Sequence, residues 1–334
     1  MMAPSTGKRR VALLMFCALG CGVLSPANAA GPVAVAPAQS AEASSAEPAA
    51  PVQFSLSAGA GYLTGESTEL VYWPWENNHK ASELTWKIDS LFMVGLGGTL
   101  HIGNRLAVNF DGWFKATDGE GSMDDYDWQV PGLAWTDWSR HEETDVTTGS
   151  IIDINANYSF FRSQNVVFNA IAGLKRDEFG WEARGGDFVY STGGFRNLGG
   201  SFADGLPVIS YEQTMTSLYA GLGLRLEYEN FQVDARVIYS PLVDGEAVDN
   251  HYLRNLVVYN TFEDGEMLAF DIAGNYWFTT QFAVEVAYSY QHYDTVKGDA
   301  EWQFRNQGLV YSIDDGAGMD QQSSMFSASL RYTF

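Results

Sequence analysis

The sequence predicts an all-β protein, a ten-stranded antiparallel transmembrane β-barrel with long extracellular loops and short periplasmic turns. Three observations carry this expectation. Beyond Gln53, apolar residues recur at every second position; tight polar turns alternate with long polar excursions; and the chain ends on Phe334 at the last position of an alternating strand. Mean hydropathy is −0.14, and after the leader no apolar run approaches the roughly 20 residues a helical crossing needs. That excludes a multi-span helical membrane protein but leaves a barrel open, because alternating strands never raise the mean.

The chain opens with a leader. Lys8, Arg9 and Arg10 precede an apolar run from Val11 to Leu24, and Ala27-Asn28-Ala29 offers small residues where a signal peptidase reads. Residues 1–29 are therefore expected to be a cleaved signal peptide. Cys17 and Cys21 both fall in it, so disulfides, thiol catalysis and cysteine-held zinc drop out of the mature chain. Residues 30–52 are Ala, Pro, Ser and Glu with little to bury, which predicts a disordered tether. Residues 53–334 form the barrel.

Within it, Leu106, Val108 and Phe110 alternate with Ala107, Asn109 and Asp111, and Ile152, Ile154, Ala156, Tyr158 and Phe160 with Asp153, Asn155, Asn157 and Ser159. The same pattern runs through 218–228, 231–239, 282–290 and 326–334. Asp234, Arg236 and Glu285 stand in mid-strand opposite the apolar face, where a membrane barrel has its polar lumen. His101–Asn104, Arg162–Asn165, Glu229-Asn230 and Thr279–Gln281 read as tight turns. Polar excursions lie near 65–85, 117–145, 185–208, 241–257 and 296–320. Four short turns and five excursions require ten strands, with both termini on the periplasmic side. The side chains of so narrow a barrel fill its lumen, so a porin role is not expected and function belongs at the exterior loops.

The formal charge of −22 opposes binding to nucleic-acid phosphates and favours cationic partners. The leader carries three of the bases and no acid, so the mature chain is more acidic still. The five histidines show no zinc-like spacing, and no cofactor is expected. Two short patterns carry possible chemistry. Asp125 and Asp127 project from one face of a strand and repel if both ionise, so the pair reads as an acid–base dyad, a solvated acidic loop or a calcium-binding turn. Asp249 and His251 have the same spacing; the carboxylate can fix the ring tautomer, or the two form a simple surface hydrogen bond.

The segment Ala134-Trp135-Thr136-Asp137-Trp138-Ser139-Arg140-His141, with the aspartate pair before it, resembles the W-T-D-x-S-x-H signature of the omptins, ten-stranded outer-membrane endopeptidases. Further matches follow in order: Glu69–Tyr72, Leu84–Lys87, Ala183–Gly186, Gly194–Arg196, Gly200–Phe202, Asp249–Tyr252 and Arg331–Phe334. They cover nearly everything after residue 54. The resemblance implies a monomeric endopeptidase in the Gram-negative outer membrane, its site facing outward, with Asp125 and Asp127 on one side of a cleft and Asp249 and His251 on the other. Water between the pairs would be the nucleophile. Ser139, Asp137 and His141 are then loop-shaping residues.

The resemblance also implies selection of Arg or Lys in cationic peptides by acids in the cleft. Glu69 matches one such acid, but Ala247 occupies the other's position, and neighbouring Glu246 is the available substitute. Where omptins hold lipopolysaccharide phosphate with outward arginines, this chain has Leu174, Arg176, Glu178 and Thr214, so most of that cluster is missing, and either a different basic site such as Lys175 replaces it or dependence on that lipid is lost. The competing reading keeps the barrel and drops the chemistry, leaving an adhesin or binding platform for basic partners.

Overall fold

The computed structural model describes residues 52–334. The signal peptide and all of the tether but Val52 lie outside the described residues; Val52 itself opens the first strand. Strands β1 (Val52–Trp73), β2 (His79–Ile102), β3 (Leu106–Lys115), β4 (Gly119–Asp127), β5 (Asp137–Arg162), β6 (Val166–Arg184), β7 (Asp187–Tyr190), β8 (Leu198–Ser201), β9 (Pro207–Tyr228), β10 (Phe231–His251), β11 (Leu256–Trp277), β12 (Phe282–Phe304) and β13 (Leu309–Thr333) form one antiparallel sheet.

The sheet closes on itself. Tyr62 of β1 is in register with Phe92 of β2 on one side and Phe326 of β13 on the other. β3 and β4 share one place between β2 and β5, separated by Ala116-Thr117-Asp118, so the ring has ten positions as expected. Closure removes every edge in the hydrocarbon, where an unpaired backbone group costs several kcal/mol. The hairpin β7–β8 rides on the top of β5.

Side-chain alternation is inverted relative to a soluble protein. On β5, Ile154, Ala156, Tyr158 and Phe160 face out, while Asp153 and Asn155 are buried in the lumen. Those lumen charges are paired: Arg236 with Asp153 at 2.9 Å and Asp271 at 2.7 Å, Arg225 with Asp234 at 2.7 Å, and Arg331 with Glu285 at 2.7 Å. Towards the exterior the lumen turns apolar and is filled by Leu63, Leu91, Met93, Phe179, Trp181 and Tyr293. Trp86 stacks on Tyr211 at 5.6 Å, and each buried aromatic of this size removes about 150–250 Å² from water.

All four tight turns lie where the sequence placed them. The long excursions differ. Residues expected to loop out over 65–85, 117–145, 241–257 and 296–320 are largely strand, and the connections shrink to 74–78, 128–136, 252–255 and 305–308. Above the bilayer the outward face also meets water, so the strand loses the apolar–polar contrast that marks it below.

Candidate active site

Two walls of the raised barrel carry the residues singled out above. On β4, Asp125 and Asp127 face inward between β2 and β5: Asp125 is in register with Leu84 and Ser139, and Asp127 with Ser82 and Asp137. On β10, Asp249 is in register with Tyr211 and Val258, and His251 with Ile209 and Leu256. Three ring positions (β5, β6 and β9) separate β4 from β10 along one arc, so the two pairs belong to opposing walls.

The Asp249–His251 pair is made. His251 Nε2 lies 2.6 Å from Asp249 Oδ2 and donates to it, which leaves Nδ1 as the basic nitrogen of the neutral ring. The Asp249 side chain is almost wholly buried; the ring keeps 16% of its surface. Its strand ends there in a one-turn 3-10 segment, Tyr252–Arg254, closed by Asn255 in the left-handed conformation. The Tyr252 hydroxyl meets Glu182 Oε2 at 3.0 Å and Ser210 Oγ at 3.1 Å, so the turn behind His251 is tied to the neighbouring wall.

The aspartate pair is held from below and behind. Ser82 Oγ donates to Asp125 Oδ1 at 3.2 Å. Withdrawal from water and then the neighbouring Asp127 charge push Asp125 well above the usual carboxylate range; the Arg254 guanidinium and the Ser82 hydroxyl oppose that shift. Asp127 is also raised, chiefly by loss of solvent, with Arg254 and Ser82 again pulling the other way. Asp249 acts on Asp125, and His251 on Asp127, so each half-site feels the other. Glu69 lies in the same layer on β1, 2% exposed, with Trp86 Nε1 donating to it at 3.4 Å. Burial, then the Asp249 charge, holds its carboxyl well above the ordinary range.

The signature segment 134–141 builds the frame. Asp127 O accepts the Thr136 N–H at 2.6 Å and the Thr136 hydroxyl at 3.1 Å, which fixes the end of β4. Asp137 Oδ1 accepts the Ser191 N–H at 2.8 Å, and Arg196 stacks on Trp135 while donating twice to its carbonyl, tying the β7–β8 loop down. His141 Nδ1 donates to the Gly185 carbonyl at 2.6 Å, so Nε2, 3.1 Å from Ser139 Oγ, accepts that hydroxyl. A serine–imidazole pair therefore exists within the segment read as loop-shaping. Ser139 is 3% exposed and His141 is fully buried and stacked on Phe202, its other nitrogen spent on the Gly185 carbonyl, so the pair is built into the frame. Burial keeps His141 below the usual histidine value.

Glu246 is a correction. It is exposed on the outer face of β10, whereas Ala247 and Asp249 are buried on the inner one, because successive residues on a strand point to opposite sides. It cannot share a pocket with Glu69. Ser82 was missed, since a lone serine on β2 carries no chemical pattern of its own; Tyr190, which falls within the family resemblance, ends β7. Tyr190 is pushed up to about 12 by burial and then by Asp125, which sets it beside the aspartate pair.

An outward apolar belt, a paired-ion lumen and an acidic, imidazole-bearing cleft at the raised rim define an outer-membrane β-barrel of the protease class. The chain belongs to the Omptin family, whose model matches residues 50–334. It is 30% identical to the plasminogen activator of Yersinia pestis, over 85% of this chain and 90% of that protein. It is 29% identical to the outer membrane protease OmpP of Escherichia coli K12, over 88% and 95%. Among solved structures, the outer membrane protease OmpT from Escherichia coli superposes with a TM-score of 0.81 at 26% identity, covering 84% of this chain and 97% of that one.

Proposed function

We propose that this outer-membrane protease is an endopeptidase that hydrolyses cationic peptides through a water activated between Asp125/Asp127 and Asp249/His251. The 2.6 Å contact between His251 and Asp249 carries the reading, because it fixes the ring through Nε2 and leaves Nδ1 as the nitrogen that can take a proton. Asp127 accepts the other hydrogen of that water. Asp125, whose carboxyl burial and the Asp127 charge push towards its protonated form, donates to the oxygen on which negative charge develops. His251 then returns its proton to the leaving amine. The protein forms no covalent bond to substrate, and the sequence of steps needs neither metal nor organic cofactor.

Glu69 is the acid that receives an Arg or Lys side chain, and one chain completes the cleft as a monomer. The outward positions do not favour a lipid activator: Leu174 faces the membrane, and Arg176 is engaged with Thr216 at 3.4 Å and Glu178 at 3.9 Å rather than standing free for a phosphate.

The test is hydrolysis of Arg- and Lys-containing peptides by refolded protein, its His251→Ala and its Asp127→Asn variants. Both variants are expected to lose about two decades or more in rate. Unchanged turnover in both rejects the mechanism. Binding of intact peptide by the unaltered protein, with no hydrolysis from pH 5 to 8, identifies a silent platform instead.

A further inference from the structure

Directly beneath the layer of Glu69, Asp125 and Asp249 runs a second inward row. Ala247 on β10 is flanked in register by Gln213 of β9 and Asn260 of β11. All three are 5% exposed or less. The Gln213 amide is oriented by its own bonds: Nε2 donates to Ser67 Oγ at 3.0 Å and to Gln321 Oε1 at 3.2 Å, reaching across the lumen to the residue two places before Glu69 on the same face of β1. That leaves Gln213 Oε1 free of those bonds, on the residue in register with Ala247.

Among the described residues, Gln213 Oε1 and Asn260 Oδ1 have no hydrogen-bond partner, and the same holds one row higher for Asp249 Oδ1 and the Tyr211 hydroxyl. Buried acceptors left unpaired cost about 1–3 kcal/mol each, so such a cluster is unusual unless something with donors fills it. Ala247 contributes only a methyl group. Its neighbour on that face, Gly245, faces the flexible end of Met319, whose Cε a Cβ at Gly245 would meet. An unbranched thioether is a plug that yields easily.

We propose that Gln213 and Asn260 are the specificity residues of this cleft, and that their amide oxygens, together with the Glu69 carboxyl, select arginine over lysine in the substrate. This rests on the endopeptidase reading above and names which side chain that site takes. A guanidinium offers five N–H donors in a plane, an ammonium three on a point charge. One carboxylate with several neutral oxygens around a truncated alanine matches the planar, donor-rich group. A lysine in the same place leaves acceptors unpaired. The missing acid at Ala247 therefore shifts selection from counting charge to counting donors.

The experiment uses refolded full-length protein and four peptides that differ at one residue: Arg, Lys, Gln or norleucine. The unaltered protein is expected to favour Arg over Lys by roughly tenfold in kcat/KM, the worth of one or two buried hydrogen bonds. Gln213→Leu and Asn260→Leu should each bring that ratio towards unity, and Ala247→Asp should lower it by raising Lys cleavage more than Arg cleavage. An unheated gel-mobility assay verifies that each variant is folded; Ala247→Asp, which restores charge without removing an amide, tests the proposal if a leucine variant is not. Peptide binding to the His251→Ala variant gives the same ratio without turnover, which separates failure of this pocket from failure of the hydrolytic mechanism. Equal handling of Arg and Lys, a preference for Gln, or a ratio that ignores all three substitutions overturns the proposal.

Discussion

Ser82 on β2 donates to Asp125 Oδ1 at 3.2 Å while lying in register with Asp127, so one hydroxyl braces both members of the aspartate pair. It also opposes the rise in their pKa, since a hydrogen bond to a carboxylate favours the ionised form. Ser82→Ala is expected to lower kcat about tenfold with little change in KM, and to move the acidic limb of the pH–rate profile upward as Asp127 becomes harder to ionise. Ser82→Thr should keep most of the rate. A profile unmoved by the alanine change would remove Ser82 from this role.

Glu69 has a raised pKa in the folded protein. A carboxyl shifted this way contributes stability at low pH, and that contribution is lost as pH rises from the unfolded value towards the folded one. Glu69→Gln should therefore unfold like the parent in urea below pH 4.5, the ordinary glutamate value, and become the more stable protein as pH rises past it. A difference that shrinks with pH contradicts the assignment.

Gly186 sits at φ +99, and a Cβ there would lie 2.3 Å from Arg140 O and 2.8 Å from His141 Nδ1. Gly186→Ala is expected to cost about 1–3 kcal/mol locally and loosen the β7–β8 hairpin. Faster amide exchange over 187–201, with the barrel strands unchanged, is the outcome to look for. Uniform exchange in mutant and parent would show that the hairpin does not depend on this turn.

Ser139 forms the serine–imidazole pair with His141, but that ring is held by the Gly185 carbonyl and not by a carboxylate. Ser139→Ala should lose less than about tenfold in rate, through loosening of the frame, where His251→Ala loses about two decades. A fluorophosphonate probe should leave the folded protein unlabelled. Stoichiometric labelling at Ser139 would make it the nucleophile and displace the water mechanism.

Within the bilayer the strands were legible because each residue there has two unlike neighbours, lipid and lumen: Ile154 and Asp153 could not exchange faces. Higher up the signal fades. On β10, Val243, Gly245, Ala247 and Asp249 point in and Asp244, Glu246 and Val248 point out, a strand with acids on both faces that reads as loop. The interruption of one ring position at Ala116-Thr117-Asp118 also left no mark beyond ordinary turn residues. For the site, local spacing exposed the two pairs, and family resemblance gave them roles. Ser82 stayed hidden because its place beside the aspartate pair lies in register across strands, which no local pattern encodes. Glu246 failed on the alternation that had worked elsewhere.

The outer aromatic Tyr239 and the rim residue His251 belong to the same strand, β10, twelve residues apart. With a rise of 3.3 Å per residue and a tilt of 35–45°, the rim stands roughly 30 Å above Tyr239 along the barrel axis. A cleft carried at that height opens to molecules arriving from solution rather than to those lying in the plane of the bilayer.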